Sequence, residues 1–145
     1  MTIVSSETLH TSCIAIGARA VLIEGRSGAG KSDLALRLID RGAQLVSDDY
    51  TILQRTGQSL IATAPATIAG KIEVRGLGII DMPFVDRVPV AMLIMLADDP
   101  ERMPLDHQSR KIAGVEIPVV VIAGHDASAP IKVELALKRL DQARR

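Results

Sequence analysis

The feature that most narrows the possible folds is the octapeptide Gly25-Arg26-Ser27-Gly28-Ala29-Gly30-Lys31-Ser32. It matches G-x-x-x-x-G-K-[ST] at every fixed position, and it lies between an apolar run, Ala20 to Glu24, and a segment of helical periodicity. In that setting the glycines let the backbone curl until successive N–H groups, from about Gly28 to Ser32, face one anion. The positive end of the following helix dipole reinforces them. Lys31 brings a cation to the β- and γ-phosphates of a nucleotide, and the Ser32 hydroxyl is a hard oxygen suited to Mg²⁺. The alternative, a glycine-rich β–α turn without a ligand, is disfavoured by the strand and helix on either side.

The rest of the chain reads as many short strands and few helices. Strands are expected at Ser12 to Ile16 and Ala20 to Glu24, joined by Gly17 and Ala18, then at Leu45 to Ser47 and Tyr50 to Gln54. A turn at Thr56-Gly57-Gln58 leads to Ser59 to Thr63, and Lys71 to Val74 is stopped by Arg75-Gly76. Val88 to Ala97 and Val119 to Ile122 are nearly continuous apolar runs, as in strands buried on both faces. One helix is expected from Ser32 to Arg41, where Leu34, Ala35, Leu38 and Ile39 make a stripe and Gly42 ends it. A second begins after Ser128, with Pro130 in its first turn and Val133, Ala136, Leu137 and Leu140 facing inward. Lys138, Arg139, Arg144 and Arg145 lie toward the negative end of its dipole. No linker, repeat or low-complexity tract divides residues 1–145, so a single P-loop domain is expected. The fold class is α/β: a P-loop nucleotide-binding core with a mixed β-sheet rather than a doubly wound one. With so few helices, loops, another sheet or a partner subunit must cover part of that sheet.

Composition removes several functions. Seventeen basic and seventeen acidic residues leave no formal net charge among 145 residues, which counts against nucleic-acid binding. Aromatic residues make up 1% of the chain, with one Tyr (Tyr50), one Phe (Phe84) and no Trp, so base stacking on aromatic platforms is almost excluded. An adenine has only those two rings to lie on, which implies that a nucleotide is held through its phosphates. The single Cys13 can form no internal disulfide and suits a reducing cytoplasm. The first residues show no signal peptide, and Val88 to Ala97 is too short to span a bilayer, so no membrane role is expected.

A triphosphate site needs a carboxylate to complete a metal shell, and two strand ends offer one. Leu45-Val46-Ser47-Asp48-Asp49 is the first; Ala91 to Ala97 followed by Asp98-Asp99 is the second. The longer apolar run makes Asp98 the better match by pattern, yet Asp98-Asp99-Pro100-Glu101 also reads as a solvated turn. The residues alone leave both open.

Two blocks carry a family resemblance. Val21-Leu22-Ile23-Glu24 with the glycine-rich loop, continuing through Arg41-Gly42-Ala43-Gln44-Leu45-Val46-Ser47-Asp48-Asp49, resembles HPr kinase/phosphorylase. So does Ile72-Glu73-Val74-Arg75-Gly76-Leu77-Gly78-Ile79-Ile80-Asp81, and with His10 the likeness spans most of residues 10–81. The resemblance implies the HPr kinase and PEP carboxykinase-like nucleotide-binding core. It also implies a bifunctional enzyme that uses ATP or pyrophosphate, with Mg²⁺, to phosphorylate a serine of an HPr-like phosphocarrier protein of the sugar phosphotransferase system. The reverse reaction would remove that phosphate by phosphorolysis.

Carried over residue by residue, Asp48 is the catalytic acid/base and His10 supports its protonation state. Ser32, Asp49 and Glu73 lie near the metal, Gly25 to Ser32 hold the phosphates, and Arg75 with the Gly76 turn shapes the entry for the carrier serine. The resemblance decides between the acids in favour of Asp48. A homo-oligomer, in the family a hexamer, is implied as well.

Three departures stand out. His10 lies almost at the start, which implies a short form without the family's N-terminal domain. The segment from Asp81 to Val90 is shorter than the corresponding loop. The family's basic turn near the C-terminus is replaced by Ala123-Gly124-His125-Asp126-Ala127, which bears on the phosphorylase half. A nucleotide-sensing module without turnover and a small-molecule kinase are the competing readings. His107 and His125 are expected in loops, Cys13 and the Met92/Met95 pair in the core.

Overall fold

The apolar runs that flank the glycine-rich loop become the centre of the sheet. The computed structural model describes residues 5–104 and 106–143. In chain order its elements are β1 (Ser6–Leu9), β2 (Ser12–Ile16), β3 (Arg19–Glu24), α1 (Lys31–Asp40), β4 (Gln44–Ser47), β5 (Thr51–Thr56) and β6 (Ser59–Thr63). There follow β7 (Lys71–Val74), β8 (Gly78–Asp81), β9 (Val88–Leu96), β10 (Gln108–Ile112), β11 (Val115–Ile122) and α2 (Ala129–Ala143). Among the described residues, nine strands form one mixed sheet along the path β1-β5-β6-β9-β3-β2-β4, with β11 also on β9 and β10 outside β11. The hairpin β7–β8 stands apart.

Strand β9 is the fork of this sheet. Val88 and Pro89 pair antiparallel with β6; from Val90 onward the strand runs parallel to β3, and from Leu93 also parallel to β11. Proline cannot donate to a ladder, so it belongs where a strand lacks a neighbour on one side. Pro89 precedes the stretch paired with β3, and Pro118 pairs with Ser109 of β10 before β11 joins β9 at Val119.

The period of two divides the side chains into two cores. Ile14, Val21, Ile23, Met92 and Ile94 face the helices, where Leu34 and Leu38 of α1 and Val133 and Leu137 of α2 cover them. Cys13, Ala15, Leu22 and Leu93 face the other way and meet Leu53, Leu60, Ala62, Ile112 and Ile117. The sheet's own curl therefore covers the face that has no helix. Met92, Leu93 and Ile94 are all fully buried, as their continuous apolar run implies.

The fold class is the expected α/β one, with a mixed sheet and, among the described residues, two helices. Three strands lie beyond what the sequence suggested: β1, β8 and β10. Their burial is slight because each sits at an edge, so no hydrophobic alternation marks them. Strand β11 starts at Val115, ahead of the Pro118 that masks its first half. Strand β5 begins at Thr51 rather than Tyr50, which is taken up by the turn after β4. Arg144 and Arg145 lie outside the described residues.

Candidate active site

The glycine-rich loop has the shape its sequence calls for. Gly30 caps α1 from the left-handed region, at φ 93° and ψ 27°, and no side chain bonds to the first-turn amides. Gly28 is also left-handed, at φ 84°. The N–H groups at the head of α1 are thus left for an anion. Close packing fixes the loop from below: a Cβ on Gly25 would come within 3.0 Å of Ala29 Cβ and 3.1 Å of Leu96 Cβ. The Lys31 ammonium donates to the carbonyls of Gly25 at 2.8 Å and Arg26 at 3.3 Å. Ion pairs tie down both shoulders of the loop's start, Glu24 with Arg110 and Arg26 with Asp98. The hydrogen bond from Arg110 to Glu24 pushes the guanidinium pKa further up.

The two adjacent acids at the end of β4 point in opposite directions. Asp49 takes a left-handed φ of 70°, and the Tyr50 amide donates back to the Asp48 carbonyl at 2.8 Å. This tight turn sends Asp48 inward, where it is 6% exposed. Its Oδ1 accepts from Ser12 Oγ at 2.8 Å and from Ser32 Oγ at 2.7 Å, and its Oδ2 accepts from the Glu73 amide at 2.9 Å. One carboxylate thereby joins β2, the glycine-rich loop and the β7–β8 hairpin. Asp49 turns outward and meets His10 Nε2 at 2.6 Å. The His10 ring stacks on Tyr50, with centroids 4.9 Å apart. The expectation that His10 supports Asp48 is corrected here: its partner is Asp49, because residues on either side of the turn cannot share one direction.

These elements enclose a cleft of about 400 Å³. His10, Ser27, Gly28, Gly30, Lys31, Ser32, Asp49, Glu73 and Arg75 line it; Asp48 lies beneath Ser32, and Gly25, Arg26 and Ala29 form the loop's other side. Asp98 is not brought to Ser32. Its exposed carboxylate pairs with Arg26, which separates the two strand ends that the sequence left level. Tyr50 and Phe84 are not at the cleft either: Tyr50 is stacked on His10, and Phe84 packs against Gly70. Burial pushes the Cys13 thiol pKa up, which fits a core residue and not a nucleophile.

Sequence reasoning marked the turn between β11 and α2 as a departure and put His125 in a loop, but did not place it against the glycine-rich loop. His125 Nε2 lies 3.2 Å from the Gly28 carbonyl, and a Cβ on Gly30 would come within 3.1 Å of His125 Cε1. A Cβ on Gly124 would meet the Ala29 carbonyl at 2.9 Å. Arg37 of α1 donates to the Asp126 carbonyl at 3.0 Å, locking the turn to the helix.

The donors at the cleft suit a hard divalent cation. Ser32, Asp49 and Glu73 line the cleft, each with an oxygen-bearing side chain. Mg²⁺ takes one or two carboxylates and completes its shell with phosphate and water oxygens, so no closed protein cage is required.

A parallel strand, a glycine-rich loop and a helix N-terminus facing a carboxylate-lined cleft define a P-loop nucleotide-binding domain. The family model described as HPr Serine kinase C-terminal domain matches residues 2–142, and the chain belongs to that family. It is 38% identical over 125 residues to the HPr kinase/phosphorylase of Chlorobium phaeobacteroides strain DSM 266, covering 77% of this chain and 39% of that protein. With the HPr kinase/phosphorylase of Chlorobaculum tepidum it shares 35% over 141 residues, 86% of this chain and 41% of the other. The chain thus spans about two fifths of the length of these curated relatives. The solved structure of the HPr(Ser) kinase/phosphatase from Coxiella burnetii superposes with a TM-score of 0.81 at 34% identity, covering 95% of this chain and 97% of that one.

Proposed function

We propose that this domain transfers a phosphoryl group between ATP, or pyrophosphate, and a serine of an HPr-like phosphocarrier protein. The observation that supports this most directly is the shared hydrogen bond of Ser32 and Asp48, which puts the phosphate loop and a buried carboxylate side by side. Membership of the HPr kinase family supports it from outside the site.

Phosphoryl transfer asks mainly for positioning and charge stabilisation. The amides of Gly28 to Ser32 and the Lys31 ammonium gather the phosphate oxygens. Ser32, Asp49 and Glu73 would hold Mg²⁺, which, when bound, neutralises charge on the phosphates. Asp48 takes the proton of the attacking serine; in the reverse direction, protonated, it returns that proton to the serine oxygen as inorganic phosphate attacks. A single group serving both directions satisfies microscopic reversibility. Arg75, at the mouth of the cleft on the β7–β8 hairpin, faces the incoming carrier.

The site of action is the cytoplasm, which suits the free buried Cys13. No helix among the described residues is long and apolar enough to cross a membrane. Self-association is supported by the exposed Ile131 and Leu135, one turn apart on α2; sedimentation of the purified chain tests it. For the activity itself, incubation with ATP, Mg²⁺ and an HPr-like carrier should give phosphoserine, lost in Asp48→Asn. A carrier left unmodified by a chain that binds ATP would refute the kinase reading.

A further inference from the structure

The glycine-rich loop is held from within and from outside. Within it, the Ala29 amide donates to the Arg26 carbonyl at 3.0 Å and closes a tight turn over these four residues. The Lys31 ammonium adds ties to the Gly25 carbonyl at 2.8 Å and the Arg26 carbonyl at 3.3 Å. From outside, His125 Nε2 lies 3.2 Å from the Gly28 carbonyl. A carbonyl oxygen can only accept, so Nε2 carries the proton and donates. We propose that His125 is a positioning residue for phosphate binding, which keeps the loop open when Lys31 leaves the loop carbonyls for the phosphates. The inference rests on the phosphoryl-transfer reading above and adds to it a residue that prepares the donor site.

The place of the bond gives the first argument. The Gly28 carbonyl and the Ala29 amide belong to one planar peptide unit and point in opposite directions. Arg26 holds its amide end and His125 its carbonyl end, so the unit that closes the turn is fixed on both sides. The second argument is independence from Lys31. An ammonium turned toward a phosphate gives up its bonds to Gly25 and Arg26, whereas the bond from His125 does not involve it. The third is access. A Cβ on Gly30 would come within 3.1 Å of His125 Cε1, so a glycine there is what lets the ring come close enough to reach Gly28.

A brace works only if its own base is fixed. Arg37 of α1 donates to the carbonyls of Gly124 and Asp126, on either side of His125. The Ala129 amide donates to the Asp126 carbonyl at 3.0 Å, and Lys132 pairs with the Asp126 carboxylate. The helix that follows the loop thereby holds the turn that holds the loop. His125 itself is exposed, so its replacement removes little packing. An apparent dissociation constant varies inversely with the fraction of protein ready to bind. Loss of the brace should therefore appear in phosphate affinity and not in the chemical step.

The test measures pyrophosphate and ADP binding by calorimetry with Mg²⁺ present, and carrier phosphorylation from ATP. His125→Ala should weaken both ligands about fivefold, the worth of one hydrogen bond, raise KM for ATP by a similar factor and leave kcat within about twofold. His125→Gln, which keeps a donor, should recover most of the affinity. His125→Phe, which keeps a ring beside Gly30 without a donor, should not. Unchanged pyrophosphate affinity in His125→Ala would overturn the proposal. So would a loss confined to ADP, a recovery in His125→Phe, or a fall in kcat with KM unmoved. Failure of the functional reading looks different, because the pyrophosphate arm needs no carrier: the unaltered chain phosphorylates no carrier, yet the losses in Ala and Phe and the recovery in Gln persist.

Discussion

The ends of β4 and β9 look alike in sequence, each an apolar run closing on two aspartates, and the structure gives them different work. After β4, a left-handed turn sends Asp48 beneath Ser32 with three donors on its carboxylate, and sends Asp49 out to His10. After β9, the first acid stays at the surface and pairs with Arg26. The longer and more apolar strand is the poorer guide, because its length reflects a central place in the sheet. β4 is an edge strand that reaches the loop through β2, and the turn beyond it is aimed at α1. Position relative to the phosphate loop, set by strand order, decides which acid lies beside Ser32.

That comparison can be broken by substitution. Asp48→Asn keeps the size of the side chain and removes the proposed acid/base; the transfer rate to carrier should fall by about 10²–10⁴-fold in a phosphoserine assay. A loss no larger than that of Asp98→Asn would erase the distinction between the two strand ends. His10→Ala frees Asp49 from its partner, and a 10–100-fold fall is expected, the usual cost of losing the group that orients a metal-side carboxylate. Its readout is the Mg²⁺ concentration needed for half-maximal rate, which should rise, whereas a base role for His10 would leave it unmoved. Asp98→Asn should change kcat at saturating ATP by less than about fivefold, because exposed ion pairs contribute at most about 1 kcal/mol. The smallest effect concerns the shared interior: Cys13 should resist iodoacetamide in the native protein and react after denaturation, since burial raises its thiol pKa. Rapid modification of native protein would show that the face covered by β5, β6 and β11 is open.

Much of this was legible in the residues. The strand, loop and helix around Gly25 to Ser32 follow from local pattern, and so do the central strands, whose burial imposes continuous apolar runs. Edge strands β1, β8 and β10 were not, because a strand with one neighbour and a wet face needs no hydrophobic pattern. Lys31 and Ser32 take their places through the motif itself. Glu73 reaches the cleft only because the β7–β8 hairpin folds back against α1, a contact that no local signal encodes. The same holds for His125: its place against Gly28 depends on β11 lying across β9 from β3 in the sheet. The direction of His10 toward Asp49 depends on one left-handed residue, which an Asp tolerates and a sequence pattern does not reveal.

The packing of the phosphate loop has a consequence for how the chain comes to be functional during synthesis. The motif is complete once Ser32 has been made, but the atoms that support it are supplied by Leu96, Gly124 and His125. A nascent chain therefore carries the signature of a nucleotide site long before it carries the site. A nucleotide that binds only the finished loop would stabilise the whole domain by mass action.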